Sequence, residues 1–169
     1  ALTPTPRDCV LVYLGAGSVT AGVAVRAGRE LAEVLGCDVY VAGVPEAIYA
    51  SRGHTVTCAP RFNFSELLPC ARVFVHHGGQ NSMMDALSYE VPQLIVSGRV
   101  FERQFNAEAV ENARCGLTVR KPKPALIARA ARALLDEPAL TSGIRGLREE
   151  LSSLGGAARI VREVEKLIS

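Results

Sequence analysis

Seven consecutive residues, His76-His77-Gly78-Gly79-Gln80-Asn81-Ser82, combine two imidazoles, two side-chain amides and a hydroxyl with a pair of glycines. They continue directly from the run Arg72-Val73-Phe74-Val75-His76 and lead into residues with helical spacing. A helix that starts at such a point offers unpaired N–H groups and the positive end of its dipole. With the side chains added, that is the chemistry an anion with several oxygens requires. Asn81 and Ser82 also suit the plain role of helix cap, which would account for that pair but not for the histidines and glycines before it. Of the histidines, His76 shares the alternation of Phe74 and is expected to pack inside. His77, at the strand's end, is expected to face a ligand.

A weaker signal stands at a second strand end, Leu14-Gly15-Ala16-Gly17-Ser18. Gly15 and Gly17 allow a tight turn and close approach of a phosphate, and Ser18 can donate to one of its oxygens. A ligand-free strand-to-helix turn is the simple alternative. A dinucleotide fingerprint would want glycine where Thr20 stands and an acid after Val41-Ala42-Gly43. Both are missing, so an NAD-binding domain ranks last among the readings.

Strands must deliver these loops. Six β-branched or apolar runs are predicted as strands: Cys9 to Leu14, Val39 to Val44, His54 to Ala59, Arg72 to His76, Gln93 to Ser97, and Leu117 to Val119. Helical spacing lies between several of them, as in Val23, Ala27, Leu31 and Leu35, or Met84, Leu87 and Tyr89. Strands alternating with helices imply a doubly wound parallel α/β sheet, Rossmann-like, of about six strands. From about residue 122 the pattern is purely helical, with three stripes: Leu126, Ile127, Ala130 and Leu134; then Ile144, Leu147, Leu151 and Leu154; then Ile160, Val161, Val164, Leu167 and Ile168.

The 169 residues suit one domain. A net charge of +2, from 19 basic and 17 acidic residues without a run of like charge, gives no footprint for nucleic acid. No apolar stretch approaches the roughly 20 residues that span a bilayer, so a soluble, cytoplasmic protein is expected. The five cysteines show no metal-ligand spacing and read as buried or half-buried thiols in a reducing compartment. The chain starts at Ala rather than Met, and its proline-stiffened residues 1–8 read as a linker remnant ahead of a domain at 9–169.

The segment His77-Gly78-Gly79-Gln80-Asn81-Ser82, with Asp85 and Val91-Pro92-Gln93 after it, resembles the donor signature of GT-B glycosyltransferases, above all the bacterial enzymes that glycosylate macrolides and related natural products. The resemblance implies that this is the C-terminal, nucleotide-sugar-binding domain of such an enzyme. It implies that His77, Asn81 and Ser82 contact the donor's phosphates, with Gly78, Gly79 and Gln80 forming the same loop, and that Asp85 holds the ribose. Downstream, Glu102-Arg103-Gln104-Phe105-Asn106-Ala107 is similar to a family segment whose acid binds sugar hydroxyls; here Glu102 replaces the commoner Asp and Arg103 the usual Gln. Upstream, the stretch from Arg61 to Pro69 resembles the loop that cradles the nucleobase, with Arg61 and Phe62 as its contacts. Burial of Phe62 in the core is the plain alternative.

Members of that family invert the anomeric centre in a cleft between two domains. The resemblance therefore implies a TDP- or UDP-sugar donor, a small-molecule acceptor held by an N-terminal domain, a general base in that other domain, and no catalytic residue in this chain. Neither a cofactor nor a metal is expected, because no carboxylate pair stands near the phosphate segment and helix-terminus electrostatics would take the place of a cation. A nucleotide-sugar epimerase on the same architecture, and a donor-binding partner subunit without activity of its own, remain open alternatives.

Overall fold

A computed structural model describes residues 7–15 and 19–168. Seven strands form one sheet: β1 (Cys9–Tyr13), β2 (Asp38–Ala42), β3 (Ala47–Ser51), β4 (His54–Ala59), β5 (Ala71–His76), β6 (Gln93–Ile95) and β7 (Gly116–Thr118). Their spatial order is β3-β4-β2-β1-β5-β6-β7, with every pairing parallel except β3 on β4. Without β3, the order is the 3-2-1-4-5-6 of a doubly wound sheet, and the direction in which strands are added reverses between β1 and β5. The carboxyl ends of those two strands are therefore where a ligand cleft opens.

The helices are α1 (Ala21–Leu35), α2 (Phe64–Leu67), α3 (Gln80–Ser88), α4 (Phe101–Asn112), α5 (Pro124–Asp136), α6 (Ile144–Ser153) and α7 (Gly156–Ile168). The Thr20 side chain caps α1 by accepting from Val23 N–H, and Gly36 closes it in the left-handed conformation. One sheet face buries Val10, Val12, Val73 and Val75 against Leu31 of α1 and Ile127 of α5. The opposite face holds Leu11 and Phe74, with Ala86 of α3, and farther along Ile95 with Val110 of α4 and Ile144 of α6. Because β1 and β5 are covered on both faces, they carry nearly continuous apolar residues, as parallel strands do. Each fully buried Leu or Val contributes about 1.5–3 kcal/mol.

The sheet has one strand more than the sequence pattern implies. β3 turns back on β4 through Arg52 and Gly53, whose φ values of 46° and 86° match a two-residue hairpin turn. Its side chains are largely exposed, Ile48 at 74%, so burial left little mark on its sequence. Helix phases also differ from expectation. In α3, Ser82 and Ala86 face inward, one turn apart, and Met84 lies outside. In α5 the inward set is Ile127, Ala128, Ala131 and Leu134, which turns Leu126 out. Leu154, Val161 and Val164 are exposed as well. The cysteines are free thiols, four buried and Cys70 half-buried. Among the described residues, no helix is long and apolar enough to cross a membrane.

Candidate functional site

β5 ends at His76, and two glycine-directed steps convert it into α3. Gly78 adopts φ +85°, a left-handed conformation that side chains disfavour. A Cβ there would stand 2.9 Å from Ile95 Cγ2 and 3.2 Å from the Arg103 carbonyl oxygen, so the turn is also pressed tightly against β6 and α4. Gly79 then serves as the N-cap of α3, in extended conformation and with no side chain to fill the cap. The plain capping role for Asn81 and Ser82 is thus not what the structure shows: both lie inside the first turn of α3.

The consequence is a set of donors without acceptors. The first helical bond of α3 runs from Met83 N–H to the Gly79 carbonyl, 3.1 Å. The N–H groups of Gln80, Asn81 and Ser82 have no acceptor among the described residues. Unpaired amides at the positive end of a nine-residue helix form an anion-receptive surface.

The two histidines take different roles. His76 is fully buried. Gly78 N–H donates to its Nδ1 (3.2 Å), so the ring proton must sit on Nε2, where it is donated to Gln93 Oε1 (3.0 Å). His76 is held as one neutral tautomer that orients the glycine turn. Burial, opposed by the Gln93 bond, pulls its pKa down to about 3. Since an unfolded histidine titrates near 6.5, the unfolded chain binds the extra proton between about pH 6.5 and 3. Stability from this group is complete above pH 6.5 and drains away on acidification toward pH 3, by about 2 kcal/mol at pH 5. Chemical denaturation at pH 7 and 5 should show that loss in the wild type and a smaller one in His76→Asn.

His77 is half-buried and reaches the switch point. Its Nδ1 lies 3.4 Å from the Tyr13 carbonyl oxygen, and its ring meets the Tyr13 ring edge-on at 5.3 Å. Gly15 and Gly79 flank it: a Cβ on Gly15 would come within 3.0 Å of Nδ1, and one on Gly79 within 2.6 Å of Nε2. The ring therefore joins the two glycine loops that the sequence singled out, and Nε2 has no protein partner among the described residues. Its pKa is lowered chiefly by burial and further by Arg103, against the raising effects of the Tyr13 carbonyl and Glu102. Both α4 residues thus act on His77, with Glu102 exposed and Arg103 half-buried.

Arg61 and Phe62 line a cavity of about 410 Å³ at the ends of β1, β2 and β4, together with Tyr13, Gly43 and Phe64. That size suits a small organic group. Phe62 is half-buried and meets Tyr40 edge-on at 5.6 Å, so it is both anchored and available. Tyr13 belongs to this cavity and to the His77 contact, and so links the two. Larger hollows of about 510 and 540 Å³ lie beside Cys37 and Asp38 at the amino ends of the strands, and beside Arg26 and Lys123. Neither is lined by Tyr13, His77 or the first turn of α3. Asp85 is exposed on α3, one turn beyond Asn81, and its carboxylate forms no ion pair among the described residues. Gly17 and Ser18 lie outside the described residues. No three His, Cys, Asp or Glu side chains among the described residues group together as metal ligands.

Asn106 was not singled out as a site residue, yet its Nδ2 donates to the Gly78 carbonyl at 2.8 Å. It ties α4 to the turn. Asn106→Ala should lower stability by about 1–2 kcal/mol by stranding a half-buried carbonyl, as denaturant titration would measure. Its signal was the segment Glu102 to Ala107 itself.

A doubly wound sheet whose switch point carries unfilled helix amides defines an open α/β domain suited to a phosphate-bearing ligand. The chain belongs to the family described as Erythromycin biosynthesis protein CIII-like, C-terminal domain, which matches residues 43–167. It is similar to 10-deoxymethynolide desosaminyltransferase of Streptomyces venezuelae, 26% identical over 96% of this chain and 39% of the relative. It is also 37% identical to elloramycin glycosyltransferase ElmGT of Streptomyces olivaceus over 56% of this chain and 23% of the relative. Among solved structures, the Streptomyces sp. SF2575 glycosyltransferase SsfS6 complexed with thymidine diphosphate superposes with a TM-score of 0.74 at 28% identity, covering 94% of this chain and 41% of that one. The chain thus spans about a quarter to two fifths of these relatives. Its resemblance to natural-product glycosyltransferases and the doubly wound architecture are both borne out.

Proposed function

We propose that the chain is the donor-holding part of an inverting, metal-independent glycosyltransferase that moves a sugar from a TDP- or UDP-sugar to a small-molecule natural-product acceptor. The observation that carries this reading is the set of unpaired N–H groups on Gln80, Asn81 and Ser82 beside the open Nε2 of His77. When the bond from anomeric carbon to phosphate oxygen breaks, negative charge grows on the departing diphosphate. Preorganised donors aimed at that charge lower the barrier without reorganising. In this scheme the helix terminus and His77 supply the positive field that a cation would otherwise provide.

The remaining contacts follow the cleft outward. Arg61 and Phe62 hold the base in their cavity, Asp85 the ribose, and Glu102 with Arg103 the sugar. The acceptor and its general base belong to another domain. Thymidine diphosphate in the SsfS6 structure supports a TDP-type donor. Titration of TDP and UDP into the chain by calorimetry tests the reading. Saturable binding of at least one, weakened by His77→Ala, is expected, and no binding of either would overturn it. Incubation with a nucleotide sugar alone should leave the sugar unchanged, whereas an epimerase would convert it.

A further inference from the structure

His77 has two ring nitrogens in different surroundings. Nδ1 faces the Tyr13 carbonyl oxygen at 3.4 Å, and a carbonyl only accepts. In the neutral ring, the favoured proton is therefore on Nδ1. The other tautomer would set two lone pairs against each other across that contact. With Nδ1 protonated, Nε2 of a neutral ring carries a lone pair; it lies beside Gly79, where a Cβ would come within 2.6 Å of it, and in the donor reading it meets the diphosphate. A lone pair repels phosphate oxygen. Only a second proton turns Nε2 into a donor.

We propose that the Tyr13 carbonyl makes His77 a phosphate ligand only as imidazolium, so that the chain takes up a proton whenever it binds a nucleotide diphosphate sugar. This rests on the donor reading above and adds to it a positioning group, the Tyr13 main chain, and a charge for the site. The balance is simple: neutral His77, a solvent proton and the dianionic donor give a complex in which imidazolium Nε2–H donates to a phosphate oxygen. No covalent bond to carbon changes.

The surroundings set the direction. Burial and Arg103 favour the neutral ring in the free chain, while the Tyr13 carbonyl and Glu102 oppose them; neighbouring His76 is neutral and Tyr13 presents only its ring edge. The free ring is thus mostly uncharged near neutrality, and the bound diphosphate draws the proton in. Affinity is highest below the free pKa and falls with rising pH, by about tenfold per pH unit between the free and bound values.

Calorimetry with TDP-glucose, whose diphosphate has no proton to lose near neutrality, tests this in PIPES and in Tris at about pH 7.5. A binding heat that differs between the two buffers by roughly the difference of their ionisation enthalpies is expected, as for one proton taken up, and it should vanish in His77→Gln. Binding by the wild type with no buffer dependence overturns the proposal and leaves the donor reading standing. Uptake that persists in His77→Gln overturns it too, because the proton then resides elsewhere. No binding of TDP-glucose or of UDP-glucose in any buffer overturns the donor reading and this proposal with it. The ¹⁵N spectrum of the His77 ring in the wild type gives an answer that needs no variant: Nδ1–H alone when free, both nitrogens protonated when bound. A neutral ring in the complex contradicts the proposal.

Discussion

His77→Ala is expected to weaken TDP-sugar binding by about tenfold to a hundredfold, the loss of a charge-assisted hydrogen bond of roughly 1.5–3 kcal/mol. The effect should fall on affinity more than on folding. The ring is half-buried, bonded to Tyr13 only at its main-chain oxygen, and flanked by Gly15 and Gly79. Truncation removes the donor and the ring's contact with Tyr13, and leaves His76, Gln93 and the Gly78 turn in place. Calorimetric titration beside a denaturation curve checks both halves of this expectation. An affinity equal to wild type would remove His77 from the site.

Gly78→Ala is expected to cost about 2–4 kcal/mol of stability, from left-handed strain of roughly 1–2 kcal/mol and overpacking against Ile95 and Arg103. That corresponds to a fall in Tm of roughly 5–15 °C for a domain of this size. The new Cβ meets the backbone oxygen of Arg103, which cannot turn aside as a side chain does. Movement of the turn would also break the bonds from Gly78 N–H to His76 and from Asn106 to the Gly78 carbonyl. Stability and donor affinity should therefore fall together, unlike the His77 variant. Thermal unfolding with and without TDP measures both, and an unchanged Tm would contradict the tight packing of the turn.

Much of this architecture was legible in the residues, for identifiable reasons. β4 is legible to the residue, His54–Ala59, because Gly53 and Pro60 bound a β-branched run. α1 is legible because its apolar spacing sits between Thr20 and Gly36, a cap at each end. β3 is not, since an exposed edge strand is defined by its partner across a hairpin rather than by its own burial. The orientation of α3 escaped for a related reason: nine residues with a polar first turn carry too weak a stripe to show that Ser82, not Met84, faces the sheet.

The site divides in the same way. The His77 to Ser82 segment announces itself by residue type, because glycine pairs and imidazoles at a strand end have few structural uses. The contribution of Tyr13 leaves no trace, as every residue has a carbonyl and only the fold aims this one at His77. Asn106 depends on α4 returning to a turn 28 residues earlier in the chain. Gln93 matters because β6 lies beside β5, which fixes the tautomer of His76. Such pairings are products of strand order.

The most direct measurement is an amide-resolved NMR titration of the chain with a TDP-sugar. Saturable shifts are predicted to concentrate on the N–H groups of Gln80, Asn81 and Ser82, with the His77 ring moving at the same ligand concentration. Saturable binding that leaves those three amides unmoved would contradict a diphosphate seated on the helix terminus after β5.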